Sequence, residues 1–182
     1  MDRFIVDTNI LVTAKNSEYG FDICPGFWDL LKKGFQSGRV VSHRLVRKEV
    51  LVGADELTEW VSELNESYFL DETEAEVKQY LEMCQWVKRN SYKETAIRDF
   101  ESPGNADALL CAKAHVMGLV VVTLEVPSRS VSRVKIPDVC DAFDVRYLKT
   151  FEFVRELKAA FYLPSEHSLP EWEEPNLFSL PQ

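Results

Sequence analysis

Two short apolar runs, each stopped by a carboxylate, fix most of what this chain can become. Phe4-Ile5-Val6 ends at Asp7, and Leu119-Val120-Val121-Val122-Thr123-Leu124 ends at Glu125. Uninterrupted β-branched and aromatic runs of this length read as strands buried on both faces. The long stretch between them is dominated by helical periodicity. Strands separated by helices build a parallel sheet covered on both sides, with sites beyond the carboxyl ends of the strands. The fold expected is therefore α/β, with a central parallel sheet, and both terminal acids stand where such sites form.

The pattern predicts a helix with Ile10, Leu11 and Ala14 inside, then, after a loop over 22–26, one from Phe27 to about Gly34. A brief strand is expected at 39–41, followed by a helix over 44–52 with Ser42 as its cap. Leu57, Trp60, Val61 and Leu64 mark another helix. The next runs over roughly 72–89, with Val77, Tyr80, Leu81 and Cys84 as its inner stripe. Ser102 as cap and Pro103 at the first helical position open a helix that Gly118 closes. A strand at 145–148 and a helix at 151–161 complete one domain, residues 1–162. Residues 163–182, with four prolines and four glutamates, form an acidic Pro-rich C-terminal tail.

Glu49 and Asp107 join the two strand-end acids as candidates. Asp107 lies in the first turn of its helix and shares a face with Leu110, Cys111 and Ala114, so it is expected to point inward at that helix's N-terminus. Glu49 lies one turn beyond Leu45 and Val46 and is expected on the buried side. Each acid alone has an ordinary explanation: a turn former, a dipole-stabilising first-turn residue, a surface ion pair, a strand end in solvent. Carboxylates gathered in one pocket repel one another unless a cation intervenes, so together they read as a hard-metal site. His43, His115 and His167 are expected at the surface or on helices rather than as ligands.

Net charge is −9, yet it is unevenly spread. Residues 1–54 carry +2 and residues 102–163 carry +1, although these segments contain all four candidate acids; residues 55–101 carry −8. The acids thus sit among bases, as a phosphate-handling surface requires. Arg44, Arg47, Arg129 and Arg133 are the candidates for holding a nucleic-acid backbone, with Lys15 and Lys135 beside them. The stretch 128–133, just past Glu125, reads equally as a solvated loop. No run approaches the ~20 apolar residues a membrane span needs. Cys24, Cys84, Cys111 and Cys140 show no CxxC pair, which points to free thiols in a reducing compartment. Met1-Asp2-Arg3 leads straight into a core strand without a signal peptide, so a cytoplasmic location is expected.

Phe4-Ile5-Val6-Asp7-Thr8-Asn9, the segment from Val41 to Glu49, Asn105-Ala106-Asp107-Ala108-Leu109-Leu110 and Val120-Val121-Val122-Thr123-Leu124-Glu125 resemble, in order and spacing, the motifs of PIN domains. The resemblance covers roughly residues 4–150 and is greatest to the VapC-like group. Segments like Cys24-Pro25-Gly26-Phe27-Trp28 and Lys135-Ile136-Pro137-Asp138-Val139-Cys140 resemble a branch of that group. It implies a PIN-like α/β/α sandwich and a ribonuclease dependent on Mg²⁺ or Mn²⁺. It implies Asp7, Glu49, Asp107 and Glu125 as metal-binding and catalytic acids, with Thr8, Asn9 and Thr123 orienting them. Glu125 departs from the Asp usual at the fourth position. Because many relatives are toxins held by an antitoxin, and many dimerise, an antitoxin protein and a second copy are the expected partners besides RNA.

Two other readings compete. Aspartyl-nucleophile phosphatases also place an Asp after the first strand, but want a second acid two residues on, where this chain has Asn9. A PIN-like module that binds RNA or protein without cutting accommodates Glu125. It also accommodates the acidic middle region, where Trp60, Tyr68, Phe69, Tyr80 and Trp86 are read mainly as core, and a tail carrying Trp172 and Phe178.

Overall fold

Five short strands make one sheet in the computed structural model, which describes residues 2–128 and 130–161. They are β1 (Phe4–Val6), β2 (Val40–His43), β3 (Phe69–Leu70), β4 (Val120–Val122) and β5 (Tyr147–Leu148). The order across the sheet is β3-β2-β1-β4-β5, and every neighbouring pair is parallel. Phe4 pairs with Val40 on one side and Val120 on the other. All three side chains of β1 are fully buried, which is why the run contains no polar residue. From β1 the sheet grows one way through β2 and the other way through β4. This reversal leaves a crevice beyond the carboxyl ends of β1 and β4, where open parallel sheets bind ligands.

Among the described residues nine α-helices flank the sheet: α1 (Thr8–Asn16), α2 (Pro25–Gln36), α3 (Arg44–Leu51), α4 (Glu56–Glu63), α5 (Glu74–Arg89), α6 (Glu94–Phe100), α7 (Ala106–Met117), α8 (Ile136–Ala142) and α9 (Thr150–Glu156). This is the α/β/α layering that the sequence leads one to expect. A methyl group on Gly34 would come within 2.6 Å of Val40, so glycine lets α2 lie close on β2. Gly118 ends α7 in the left-handed conformation, φ 62°. Phe4 meets Phe153 of α9 edge to face at 5.1 Å. The aromatics of the middle region join the core: Trp60 packs against Trp28, Tyr68 stacks on Phe35, and Phe69 is buried.

Several local expectations change. Ser42 lies within β2, and its hydroxyl donates to the Val6 carbonyl at 2.7 Å. His43 caps α3 instead, its Nδ1 accepting from the Leu45 amide at 3.1 Å. That role takes His43 off the surface and buries it completely; His115 is exposed on α7, and His167 lies outside the described residues. α7 starts at Ala106, capped by Asn105 rather than Ser102, so Pro103 precedes the helix. On α5, Val77 and Leu81 are 43% and 54% exposed. The inward side holds Glu76, Met83, Cys84 and Val87, because α5 packs on α7 and must present Glu76 to the buried Lys113. No helix among the described residues is long and apolar enough to cross a membrane. The tail 163–182 lies outside the described residues.

Candidate metal centre

Asp7 follows β1 directly, and its backbone amide donates to the Val122 carbonyl of β4 at 3.2 Å. This links the two strands at the mouth of the crevice and fixes where the Asp7 side chain leaves the sheet. Asn9 Nδ2 at 3.2 Å and Thr123 Oγ1 at 3.1 Å both donate to Asp7 Oδ2. Asp7 is almost wholly buried. Burial, assisted by the charge of Glu125, pushes its carboxyl up to about 6, against the pull of those two hydrogen bonds.

Asp107 reaches the same place from the first turn of α7. Its amide is capped by Asn105 Oδ1 at 2.9 Å, and Leu110, Cys111 and Ala114 behind it are buried as the spacing requires. Burial, together with the negative charge of Asp7, raises the Asp107 carboxyl to about 7, with Glu125 and Glu49 adding to the shift and Arg133 opposing it. Glu49 comes from α3 on the far side. The structure overturns its expected burial: Val46 and Val50 face the core, and Glu49 is exposed at the rim, where its Oε2 accepts from the Thr8 hydroxyl. Asp7, Thr8, Asn9, Glu49, Asp107 and Arg133 line one hollow of about 300 Å³.

Glu125 does not line that hollow. Its carboxylate accepts from the Ile136 amide at 2.8 Å, at the start of α8, and from Lys135 Nζ at 3.0 Å, with Arg133 at 3.4 Å. Glu125 therefore acts as a remote cap of α8, while its charge is still felt by both aspartates. Thr123 does what an orienting residue should, because its hydroxyl donates to Asp7 and accepts from the Glu125 amide.

Among the described residues no three Asp, Glu, His or Cys groups are drawn together closely enough to hold an ion as placed. The donor chemistry nonetheless fits a hard divalent ion at the aspartate pair. Asp7 and Asp107 are all-oxygen donors; burial raises the need of both for a proton or a cation, and the charge of Asp7 adds to it at Asp107. Glu49, already hydrogen-bonded to Thr8, fits a contact through water.

Of the expected backbone-binding arginines, Arg133 lines the acidic hollow. Arg44 and Arg47 line a separate hollow with Lys48, Glu66, Phe69 and Asp71. There Arg44 pairs with Asp71, and Arg47 pairs with Glu66 at 3.2 Å with its guanidinium 5.8 Å from the Phe69 ring. Lys15 is engaged by Asp55, and Arg129 lies outside the described residues. Asn105 was missed as a positioning residue. Its signal was present, an Asn two residues before an inward acid at a helix start.

A parallel α/β protein with paired aspartates at its topological switch point is the class that fold and hollow define. Residues 4–161 match the family described as Domain of unknown function (DUF4411), and the chain belongs to that family. No curated protein matches it.

Proposed function

We propose that this protein is a metal-dependent ribonuclease that hydrolyses RNA phosphodiester bonds in the hollow between β1, α3 and α7. The observation that carries the reading is that Asp7, Glu49 and Asp107, from three separate elements, share one hollow with Arg133. The spacing of the motifs, which resembles that of PIN domains, supports it further. Asp7 and Asp107 would hold Mg²⁺ or Mn²⁺, which when bound supplies neutralisation of phosphate charge and a more acidic water. Asn9 and Thr123 hold Asp7 in position through hydrogen bonds to a single oxygen, leaving the other carboxylate oxygen for the ligand. Glu49 at the rim accepts hydrogen from the incoming water and orients it. Arg133 adds positive charge at the edge of the hollow, which draws the RNA backbone toward the acids. The water oxygen bonds to phosphorus and gives up a proton to Glu49 while the bond to the departing ribose oxygen breaks, and that oxygen takes a proton from solvent. Within this reading we assign the protein to the cytoplasm as the toxin of a toxin-antitoxin pair, with an antitoxin protein and a second copy as partners.

RNA cleavage with Mn²⁺ tests the proposal. Asp7→Asn and Asp107→Asn should each abolish cleavage and retain the fold by circular dichroism. Cleavage that survives in both variants eliminates the mechanism.

One observation favours the reading without catalysis: Glu125 is occupied by Lys135 and the start of α8, so the fourth acid is withdrawn. In that case the wild type binds RNA and leaves it uncut at every Mn²⁺ concentration.

A further inference from the structure

A second hollow of about 310 Å³ adjoins the acidic one, and the two share Asn105, Asp107 and Arg133 in their walls. Its floor is apolar, with Phe100 of α6 and Val134 both buried. One wall carries the exposed carboxylate of Asp99, near the C-terminal end of α6, and another carries Arg133, 63% exposed. Among the described residues Asp99 pairs with no cation.

Asn105 couples the two hollows. Its Nδ2 donates to the Asp99 carbonyl at 2.9 Å while its Oδ1 caps the Asp107 amide at 2.9 Å. The Asp99 backbone at the end of α6 is therefore tied to the start of α7, where Asp107 stands.

We infer that this second hollow is a guanine subsite, Asp99 and Arg133 reading the base of a nucleotide next to the bond that is cut. The inference rests on the ribonuclease reading and names its substrate preference. An apolar patch beside charged, hydrogen-bonding walls suits an unstacked base of single-stranded RNA, read on its edges. The walls carry opposite character, and the base must match both. A carboxylate offers two acceptors side by side, and guanine alone presents two adjacent donors, N1–H and the 2-amino group. Guanine also presents O6 and N7 as paired acceptors, which suit a guanidinium. Adenine, cytosine and uracil each bring an acceptor against the carboxylate where guanine brings a donor, and such a mismatch is penalised. The negative end of the α6 dipole adds to the acceptor character of the Asp99 wall.

The test measures binding and cleavage separately. Short labelled oligouridines carrying one guanosine, inosine, adenosine or cytidine are titrated with the full chain in Ca²⁺ and followed by fluorescence anisotropy. Guanosine should bind about tenfold more tightly than adenosine or cytidine. Inosine, which lacks the 2-amino group, should bind roughly fivefold more weakly than guanosine. Asp99→Asn, which exchanges one acceptor for a donor, should bring guanosine to the level of the others. Equal affinity for all four, or a guanosine preference unchanged in Asp99→Asn, overturns the inference. The inosine comparison leaves the protein unaltered and decides the matter if the variant fails to fold. The same oligonucleotides are then incubated with Mn²⁺. Guanosine-selective binding without cleavage sinks the ribonuclease reading and leaves the subsite standing; cleavage without that selectivity does the reverse.

Discussion

Lys113 and Glu76 meet at 2.6 Å with 1% and 2% of their side chains exposed, and Lys113 also donates to the Asp71 carbonyl at 2.7 Å. A lysine in the middle of an otherwise apolar helix face gives no hint of burial, because only a partner on another helix makes burial tolerable. The sequence therefore disclosed the inward side of α7 around Asp107 but not the orientation of α5. Removing one partner leaves the other charged and unsolvated. Lys113→Ala should lower stability by about 3–5 kcal/mol, whereas Lys113→Met with Glu76→Leu should lose far less. Urea denaturation of the two single variants and the double variant measures the difference, and a double-variant loss equal to the sum of the single losses would show that the charges do not depend on each other. Asp7 was legible for the opposite reason: an acid that ends an all-apolar run has few places to go. Glu49 was half legible, since its turn was identified correctly and its exposure was not.

At the scale of elements, β1 and β4 could be read from their composition because both faces of each strand are buried. α6 and α8 could not, for different reasons. α6 has seven residues and buries only Ala96 and Phe100, too few to establish a period. α8 carries Pro137 near its start, which suits a first turn but also reads as a break. The start of α8 further depends on an acceptor eleven residues away, Glu125 Oε2 on the Ile136 amide. Glu125→Ala should therefore lower stability by roughly 1–2 kcal/mol and speed amide exchange across 136–142. Glu125→Gln keeps an acceptor for that amide and should lose less. Mn²⁺ affinity, followed by titration calorimetry, should fall far more in Asp107→Asn than in Glu125→Gln. The reverse order would place Glu125 among the ligands.

For the whole molecule, the strand order sets where negative charge accumulates. The reversal at β1 brings the ends of β1 and β4 and the start of α7 to one crevice, so Asp7 and Asp107 are desolvated together. Their folded-state carboxyls titrate near 6 and near 7, while the unfolded chain titrates near 4. Between these values the folded state holds more protons than the unfolded state, so stability falls as pH rises. The loss begins near pH 4 and is complete above about pH 7. For the almost wholly buried Asp7 it is on the order of 3 kcal/mol. Other carboxylates act in the acid range, so the quantity to follow is the wild-type stability minus that of Asp7→Asn at each pH. That difference should grow steadily more unfavourable to the wild type from pH 4 to pH 7. Mg²⁺ or Mn²⁺ should reverse the trend. An ion that binds only the folded state adds stability by mass action, and adds more as protons stop competing for the same oxygens. Asp7→Asn with Asp107→Asn should abolish both the pH slope and the metal response. A difference that stays flat across this range, with no gain on adding either ion, would mean that the two carboxylates are not desolvated together and that the crevice is not a cation site.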